Sequence, residues 1–445
     1  MPGRGTRQTL RLPGITANRA GPTPEPGAGT RVRVVVLSTV RAVGIAVAGT
    51  LLGLQVIATL VEPVARWFTP AHRRLSDWQV YWAATDALVH GHDLYAAHSP
   101  NGQQFTYPPS AALVLAPMHV LPQQVVQAGW MLTTLATAIA LPILVVRKLV
   151  RPGERVIPTV FGIVAMVASD GVRSSVHYGQ VGVYLVALVL LPVLYLPRFA
   201  GVGTGAAAAF HVNPALILVV AAVRRQWRFV VVGVVTAVAV TVAAAIAQPG
   251  ASLAYWTRLL WRTERVGDLW HPGNRSLSGV LARAGVPVGW IVVALAVALV
   301  VSLVAVALWF REPGRGRRHA RPPLDLASSA RLVVVGGLLS EVLSPVAWRH
   351  HWVWIPVAAL LVFLDGRRVA GVALAVLAAM PWPQLSFPGL TFPWSGPVAY
   401  QVLLAITLVV AVAATVLCLL GPRDEATPSG RYSVTRPGGM RGTAR

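Results

Sequence analysis

The chain is short of cysteine, short of charge and, among its charges, short of acid. Cys418 is the single cysteine in 445 residues, which excludes an intrachain disulfide, a cysteine zinc site and an iron–sulfur cluster. Charged residues make up 12% of the chain, about half the roughly 25% of a soluble domain. A soluble helical solenoid needs charged outer faces that this composition does not supply.

What is present is apolar: 55% of residues are hydrophobic and the mean hydropathy is +0.62. Several runs approach the ~20 residues needed to cross a ~30 Å hydrocarbon core. The chain therefore reads as an all-α polytopic membrane protein. Its 38 Lys and Arg outnumber 15 Asp and Glu, for a net charge of +23. The arginines cluster at both termini and between apolar runs, a placement that orients membrane proteins. Anionic lipid, rather than nucleic acid, is the expected counter-charge.

Hydropathy and chain breakers place spans near 36–61, 124–146, 156–175, 181–196, 229–248, 286–310, 331–348, 352–365, 367–385 and 398–420. The first run is too long for a signal-peptide core and is expected to remain as an anchor. With Arg147, Arg151, Arg198, Arg224, Arg225, Arg228, Arg311 to Arg321, Arg367 and Arg368 all cytoplasmic, segment 200–223 must begin and end inside. His211-Val212-Asn213-Pro214 interrupts it, so it is expected to be a hairpin of two short helices with its tip at membrane depth. One straight span is the alternative, and it would put Arg224, Arg225 and Arg228 outside. Counting both arms gives about twelve helices with both termini cytoplasmic. Residues 1–35 and 421–445, rich in Gly, Pro and Arg, are expected to be disordered basic tails flanking one transmembrane domain, 36–420.

This topology gathers the polar residues outside, in loops 62–123, 173–180, 249–285, 348–351 and 386–397. Asp77 heads an aromatic-rich stretch, Asp77-Trp78-Gln79-Val80-Tyr81, and opens an amphipathic segment over 77–91. Ser76 or Asp77 also reads as an ordinary helix N-cap. An exposed carboxylate with a pKa near ~4 is ionised at neutral pH and can serve as a base once positioned and partly desolvated. The apolar stretch 110–121 is too short to cross and is expected to lie along the outer surface.

His350 and His351 are adjacent, and on a helix they would point about 100° apart, which suits a shared metal poorly. Beside Arg349 they suit a phosphate better. Glu341 lies within an apparent span and needs a buried partner, for which Arg173 and Arg349 are candidates. Trp256, Trp261 and Trp270 precede His271 and Asn274, and rings beside polar amides suit a sugar; an interfacial tryptophan belt is the plainer reading. Tyr81, Tyr107 and Gln180 join His271 and Asn274 as candidates for sugar or acceptor binding.

In order, Asp77 to Tyr81, Gly91 with Leu94-Tyr95, Phe105-Thr106-Tyr107-Pro108-Pro109, Ala116-Pro117 with Leu121-Pro122, Gly179-Gln180, Gly201 to Pro214, Asn274-Arg275-Ser276-Leu277 and Leu343-Ser344-Pro345 with Trp348 and His350-His351 form a pattern. Over roughly residues 70–365 the chain resembles the actinobacterial polyprenol-phosphate-mannose-dependent α-1,2-mannosyltransferases, family GT87 of the GT-C fold. The resemblance implies that Asp77 is the catalytic base and that the histidine pair lies near the donor phosphate. Two departures stand out. His211 occupies a hairpin-tip position where the family usually carries Lys, and Arg275 stands where the family has Gln, restoring a positive charge.

The implied reaction transfers a hexose, most simply mannose, from a polyprenyl phosphate to a glycolipid or glycan outside the membrane, with inversion. His350, His351, Arg349, His211 and Arg275 are the candidates for stabilising the departing phosphate. A lipid phosphate leaves rather than a nucleoside diphosphate, so neither metal nor cofactor is expected, in keeping with the lack of an Asp-x-Asp motif. A GT-C transferase for another lipid-linked sugar such as arabinose is the nearest alternative. A transporter or flippase would show repeats and midplane polar sites, and no repeat is evident.

Overall fold

The computed structural model describes residues 28–70, 73–309, 325–380 and 397–420. Every regular element among them is helical, and the only pairing of extended backbone is a lone bridge between His98 and Gln104. Contacts divide the chain into Met1–Val47, which among the described residues holds the opening turns of the first helix, and Ala48–Arg445, which holds all the other elements.

In chain order the helices are α1 (Ala28–Trp67), α2 (Ser76–Val89), α3 (Pro109–Leu115), α4 (Gln123–Leu149), α5 (Val156–Ala168) and α6 (Asp170–Tyr178). Next come α7 (Gly182–Tyr195), α8 (Gly201–Phe210), α9 (Ala215–Val223), α10 (Trp227–Ala247), α11 (Pro249–Thr257) and α12 (Leu277–Arg283). The last are α13 (Val288–Trp309), α14 (Leu326–Val342), α15 (Trp354–Leu364), α16 (Arg368–Ala379) and α17 (Pro397–Leu420).

Four helical stretches among the described residues, Ala42–Trp67, Gln123–Leu149, Trp227–Ala247 and Val288–Leu308, are long and apolar enough to cross a membrane. α5 and α6 make a fifth if counted as one span bent by 52°. The bend falls at Ser169, whose hydroxyl accepts from the Val172 amide and so starts α6 in a new direction. The expected spans 181–196, 331–348 and 352–365 correspond to helices of 14, 17 and 11 residues. Among the described residues length and composition therefore support four or five crossings, against ten spans and a two-helix hairpin expected. The outward faces of α10 and α13 carry Val231, Val235, Val238, Val292, Val297 and Val300, all exposed. Apolar surface on this scale matches hydrocarbon and not water.

Segment 200–223 is two helices, and the straight-span alternative is ruled out. α8 ends at Phe210 and α9 starts after Pro214, with extended backbone at His211. α8 packs unusually closely on both sides. A Cβ at Gly201 or Gly205 would come within 2.1 Å of a carbonyl oxygen on α10, and one at Gly203 within 1.8 Å of the Leu188 oxygen on α7. Small residues at this spacing let membrane helices meet backbone to backbone.

Two hydrophobic cores result. The larger joins α5, α7, α14 and α15 through residues such as Val189, Leu190, Val334, Leu338, Ala358 and Leu360. The smaller belongs to the segment between α1 and α4, where Trp78, Leu94, Phe105 and Ala111 are almost fully buried with Met131 and Tyr255. Burial of side chains such as Leu94 and Phe105 contributes roughly 1.5–3 kcal/mol each before entropy is deducted. The segment is thus a folded lobe with its own core. α3 runs into a short 3-10 turn, Ala116–Val120, and leaves Val114, Val120 and Leu121 exposed.

α1 already begins at Ala28, inside the stretch expected to be unstructured; the remainder of that tail, the tail 421–445 and residues 386–396, expected as the last outer loop, lie outside the described residues.

Candidate active site

The approach to Asp77 is set by Arg74. Its buried guanidinium donates to the carbonyls of Arg66 (3.1 Å), Trp67 (2.5 Å) and Thr69 (3.1 Å), filling acceptors left open where α1 ends. Leu75 then takes a left-handed conformation, φ 52°, and α2 starts at Ser76. Neither Ser76 nor Asp77 is the N-cap; Leu75 is, with no side-chain cap bond. The Ser76 hydroxyl instead donates to Asp77 Oδ1 at 2.9 Å.

The other carboxylate oxygen accepts from the Gln180 amide, Nε2 to Oδ2 2.6 Å. Gln180 Oε1 in turn accepts from Tyr81 at 2.7 Å and Tyr107 at 3.3 Å, and the two phenols lie 3.0 Å apart. The tyrosines fix which end of the amide faces Asp77, and the amide fixes the carboxylate. Gly179 makes this meeting possible: at φ 73° it ends α6, and a Cβ there would fall 2.6 Å from Trp78 Cβ. Burial raises the Asp77 pKa above the ordinary carboxylate value, although hydrogen bonds from Gln180 and Ser76 and the nearby His177 and His351 act to lower it.

The histidines follow a sharp entry. Arg349–Val353 form a 3-10 turn ahead of α15, so His350 and His351 do not sit on regular α-helix. The His350 and His351 ring centroids are 4.6 Å apart, with His211 5.7 Å beyond His351 and Tyr107 5.0 Å from His211. His350 is buried, and its Nε2 has no hydrogen-bond partner among the described residues. The expected partner of Glu341 needs correction: it is not an arginine. Glu341 Oε2 lies 3.3 Å from His351 Nδ1 and accepts from the Asn213 amide at 3.3 Å.

Arg173, Arg275 and Arg349 all converge on Asp170. Its Oδ2 accepts from Arg349 Nε at 2.9 Å and Arg275 Nη1 at 3.1 Å, while Oδ1 accepts from Arg349 Nη2 and Arg173 Nη2. Arg349 thus grips the carboxylate with two parallel bonds. Arg349 and Arg275, both candidates for the donor phosphate, are thus each ion-paired to Asp170.

Asn274 is also corrected. It is fully buried, and its amide is consumed by the carbonyls of Leu269 (3.2 Å) and Pro345 (3.0 Å) and by the amides of Ser276 (3.2 Å) and Ala347 (3.1 Å). It ties the 269–276 loop to the 345–347 turn and does not face a ligand. Trp261 and Trp270 point to the exterior, and the cavity-facing tryptophan is Trp348, whose indole lies against Gly267, Gly273 and the His271 ring.

These pieces border one cavity of about 900 Å3. Of the sequence candidates, Asp77, Tyr81, Tyr107, Gln180, His211, His271, Arg275, Arg349, His350 and His351 line it, and Asn274 does not. Gln104, Tyr178, Glu264, Arg265 and Trp348 line it as well. Its size lies at the upper end of the roughly 300–1,000 Å3 of small-molecule sites. Among the described residues no group of three or more His, Cys, Asp or Glu is placed to hold a metal ion.

The family model for glycosyltransferase family 87 matches residues 105–345, more than half of the chain. A polyprenol-phosphate-mannose-dependent α-(1-2)-phosphatidylinositol mannoside mannosyltransferase of Mycolicibacterium smegmatis is 29% identical over 335 residues, 67% of this chain and 74% of the relative. The Mycobacterium tuberculosis protein of the same name is 29% identical over 322 residues, 68% of this chain and 73% of the relative. A phosphatidylinositol pentamannoside mannosyltransferase of M. smegmatis is 28% identical over 381 residues, covering 81% and 89%. No solved structure matches the chain. A cavity that pairs a held carboxylate with histidines and arginines, on an all-helical membrane scaffold, is thus found in a chain that belongs to glycosyltransferase family 87.

Proposed function

We propose that this glycosyltransferase moves a mannosyl group from a polyprenyl-phosphate donor to a glycolipid or glycan acceptor on the non-cytoplasmic face of the plasma membrane. The observation that carries the reading is the Asp77 carboxylate, held by Gln180 and Ser76 at the wall of a cavity that also presents His350, His351 and Arg349. Asp77 takes the proton of the acceptor hydroxyl as that oxygen bonds to the anomeric carbon. The bond from that carbon to the phosphate oxygen breaks, and polyprenyl phosphate departs. One base activating one acceptor implies attack from the side opposite the phosphate, and therefore inversion. Charge growing on the phosphate meets the histidines and the arginine cluster, which supply electrostatic stabilisation without requiring a metal. Tyr81, Tyr107, Gln180 and His271 frame the sugar and acceptor.

The names of the mycobacterial relatives support the mannose donor and a phosphatidylinositol mannoside acceptor. The arginine pattern supports cytoplasmic termini and an active site outside. The test gives purified full-length protein radiolabelled polyprenyl-phosphate-mannose or polyprenyl-phosphate-arabinose with phosphatidylinositol mannosides, and reads the anomeric configuration of the product by NMR. Transfer of mannose with inversion is expected. Transfer of arabinose alone would reassign the donor, and flux of label across liposomes without transfer would point to a transporter.

A further inference from the structure

Asp170 is 4% exposed and lies at the first turn of α6, next to the 52° bend. Its two oxygens receive four N–H donors from three arginines carried by three separate segments: α6, the 274–276 turn and the 349–353 turn. Arg173 also reaches Gln55 of α1 at 3.0 Å, and Arg275 approaches Thr407 of α17 at 3.4 Å. Arg275 and Arg349 line the cavity. Bringing guanidinium groups together in a low-dielectric interior is prohibitive without a counter-charge. One carboxylate bound by all three guanidinium groups allows that approach beside the cavity.

We propose that Asp170 is a positioning residue for the donor: it holds the Arg349 fork and Arg275 as one rigid cationic unit against which the phosphate of the lipid-linked sugar docks. The inference rests on the donor reading given above. Asp170 does not touch the reacting atoms. It sets the orientation and spacing of the arginines, and a fork fixed through Nε and one Nη has little freedom to follow a displaced anion.

The test measures donor KM, acceptor KM, kcat, inhibition by polyprenyl phosphate and thermal stability for the wild type and Asp170→Asn. Donor KM and the inhibition constant of polyprenyl phosphate are expected to rise between about tenfold and a hundredfold, while acceptor KM moves less than about twofold. A purely architectural carboxylate would lower thermal stability and leave both donor constants unchanged in the protein that remains folded, and that result overturns the proposal. Should Asp170→Asn not fold, Asp170→Glu keeps the charge and displaces the carboxylate by one methylene. Its donor KM is expected to rise about fivefold or more, and an unchanged donor KM in this variant is equally contrary. A wild type that takes no sugar from polyprenyl-phosphate-mannose overturns the functional reading itself, and this proposal with it. Wild-type transfer with unchanged donor constants in the variants overturns the role of Asp170 alone.

Discussion

Gln180 donates its amide to Asp77 at 2.6 Å while its carbonyl oxygen accepts from Tyr81 at 2.7 Å, so the orientation of the carboxylate is set from a second helix junction rather than from α2 alone. Gln180→Leu removes both bonds and leaves the Tyr81 hydroxyl and the carboxylate to reorient. The expected result is a fall in kcat of about tenfold to a hundredfold with donor KM little changed. Single-turnover transfer assays on the two proteins measure it.

Burial raises the Asp77 pKa, and the Gln180 and Ser76 hydrogen bonds oppose that rise. The active form is the carboxylate, so activity is lost as pH falls through the raised pKa. The acid limb of the kcat/KM profile is therefore expected above the ~4 of an ordinary carboxylate. Deleting a bond that favours the charged form moves the limb higher, so Ser76→Ala should shift it toward neutral pH. For stability the sign is reversed: a raised pKa in the folded state gives a contribution present at low pH and lost as pH rises through that value. A limb left at the ordinary carboxylate position would contradict the burial of Asp77.

Gly179→Ala combines a positive φ with a Cβ 2.6 Å from Trp78 Cβ and 3.0 Å from Leu75 Cβ. The neighbours on both sides are helix-start residues of the Asp77 lobe, which cannot yield without moving the carboxylate. Lowered thermal stability and lowered kcat are expected together, measured by a melting curve and an initial-rate assay.

Asn274 and His271 should separate cleanly. Asn274→Ala orphans buried backbone groups around Pro345 and Ala347, each costing about 1–3 kcal/mol, so the melting temperature drops while acceptor KM holds in folded protein. His271 lies exposed at the cavity wall against Trp348. His271→Ala is expected to raise acceptor KM with the melting temperature unchanged.

The parts legible in the sequence were those governed by local composition. Hydropathy located α4, α10 and α13 within a few residues, and Pro214 marked the break between α8 and α9. Charge parity put Asp77, Gln180 and His350 in loops of one face, and those residues do border one cavity. Asp170 was not legible, because it lies in what reads as a single apolar span and no spacing links it to Arg275 or Arg349. Its role exists only after α6 turns away from α5. Asn274 misled for the opposite reason: a polar residue beside tryptophans resembles a sugar contact until its hydrogen bonds are counted. The core of the segment between α1 and α4, around Trp78 and Phe105, also escaped detection, since its short helices and turns carry no long periodic pattern.

The account stands most directly on mannosyl transfer by Asp77→Asn, assayed with radiolabelled polyprenyl-phosphate-mannose in protein shown by its melting curve to be folded. Asparagine keeps the size of the side chain and removes the base. Transfer is expected to fall by at least about a hundredfold while polyprenyl phosphate still binds with near-wild-type affinity. Transfer by the folded variant at the wild-type rate would contradict the assignment of Asp77 as the base.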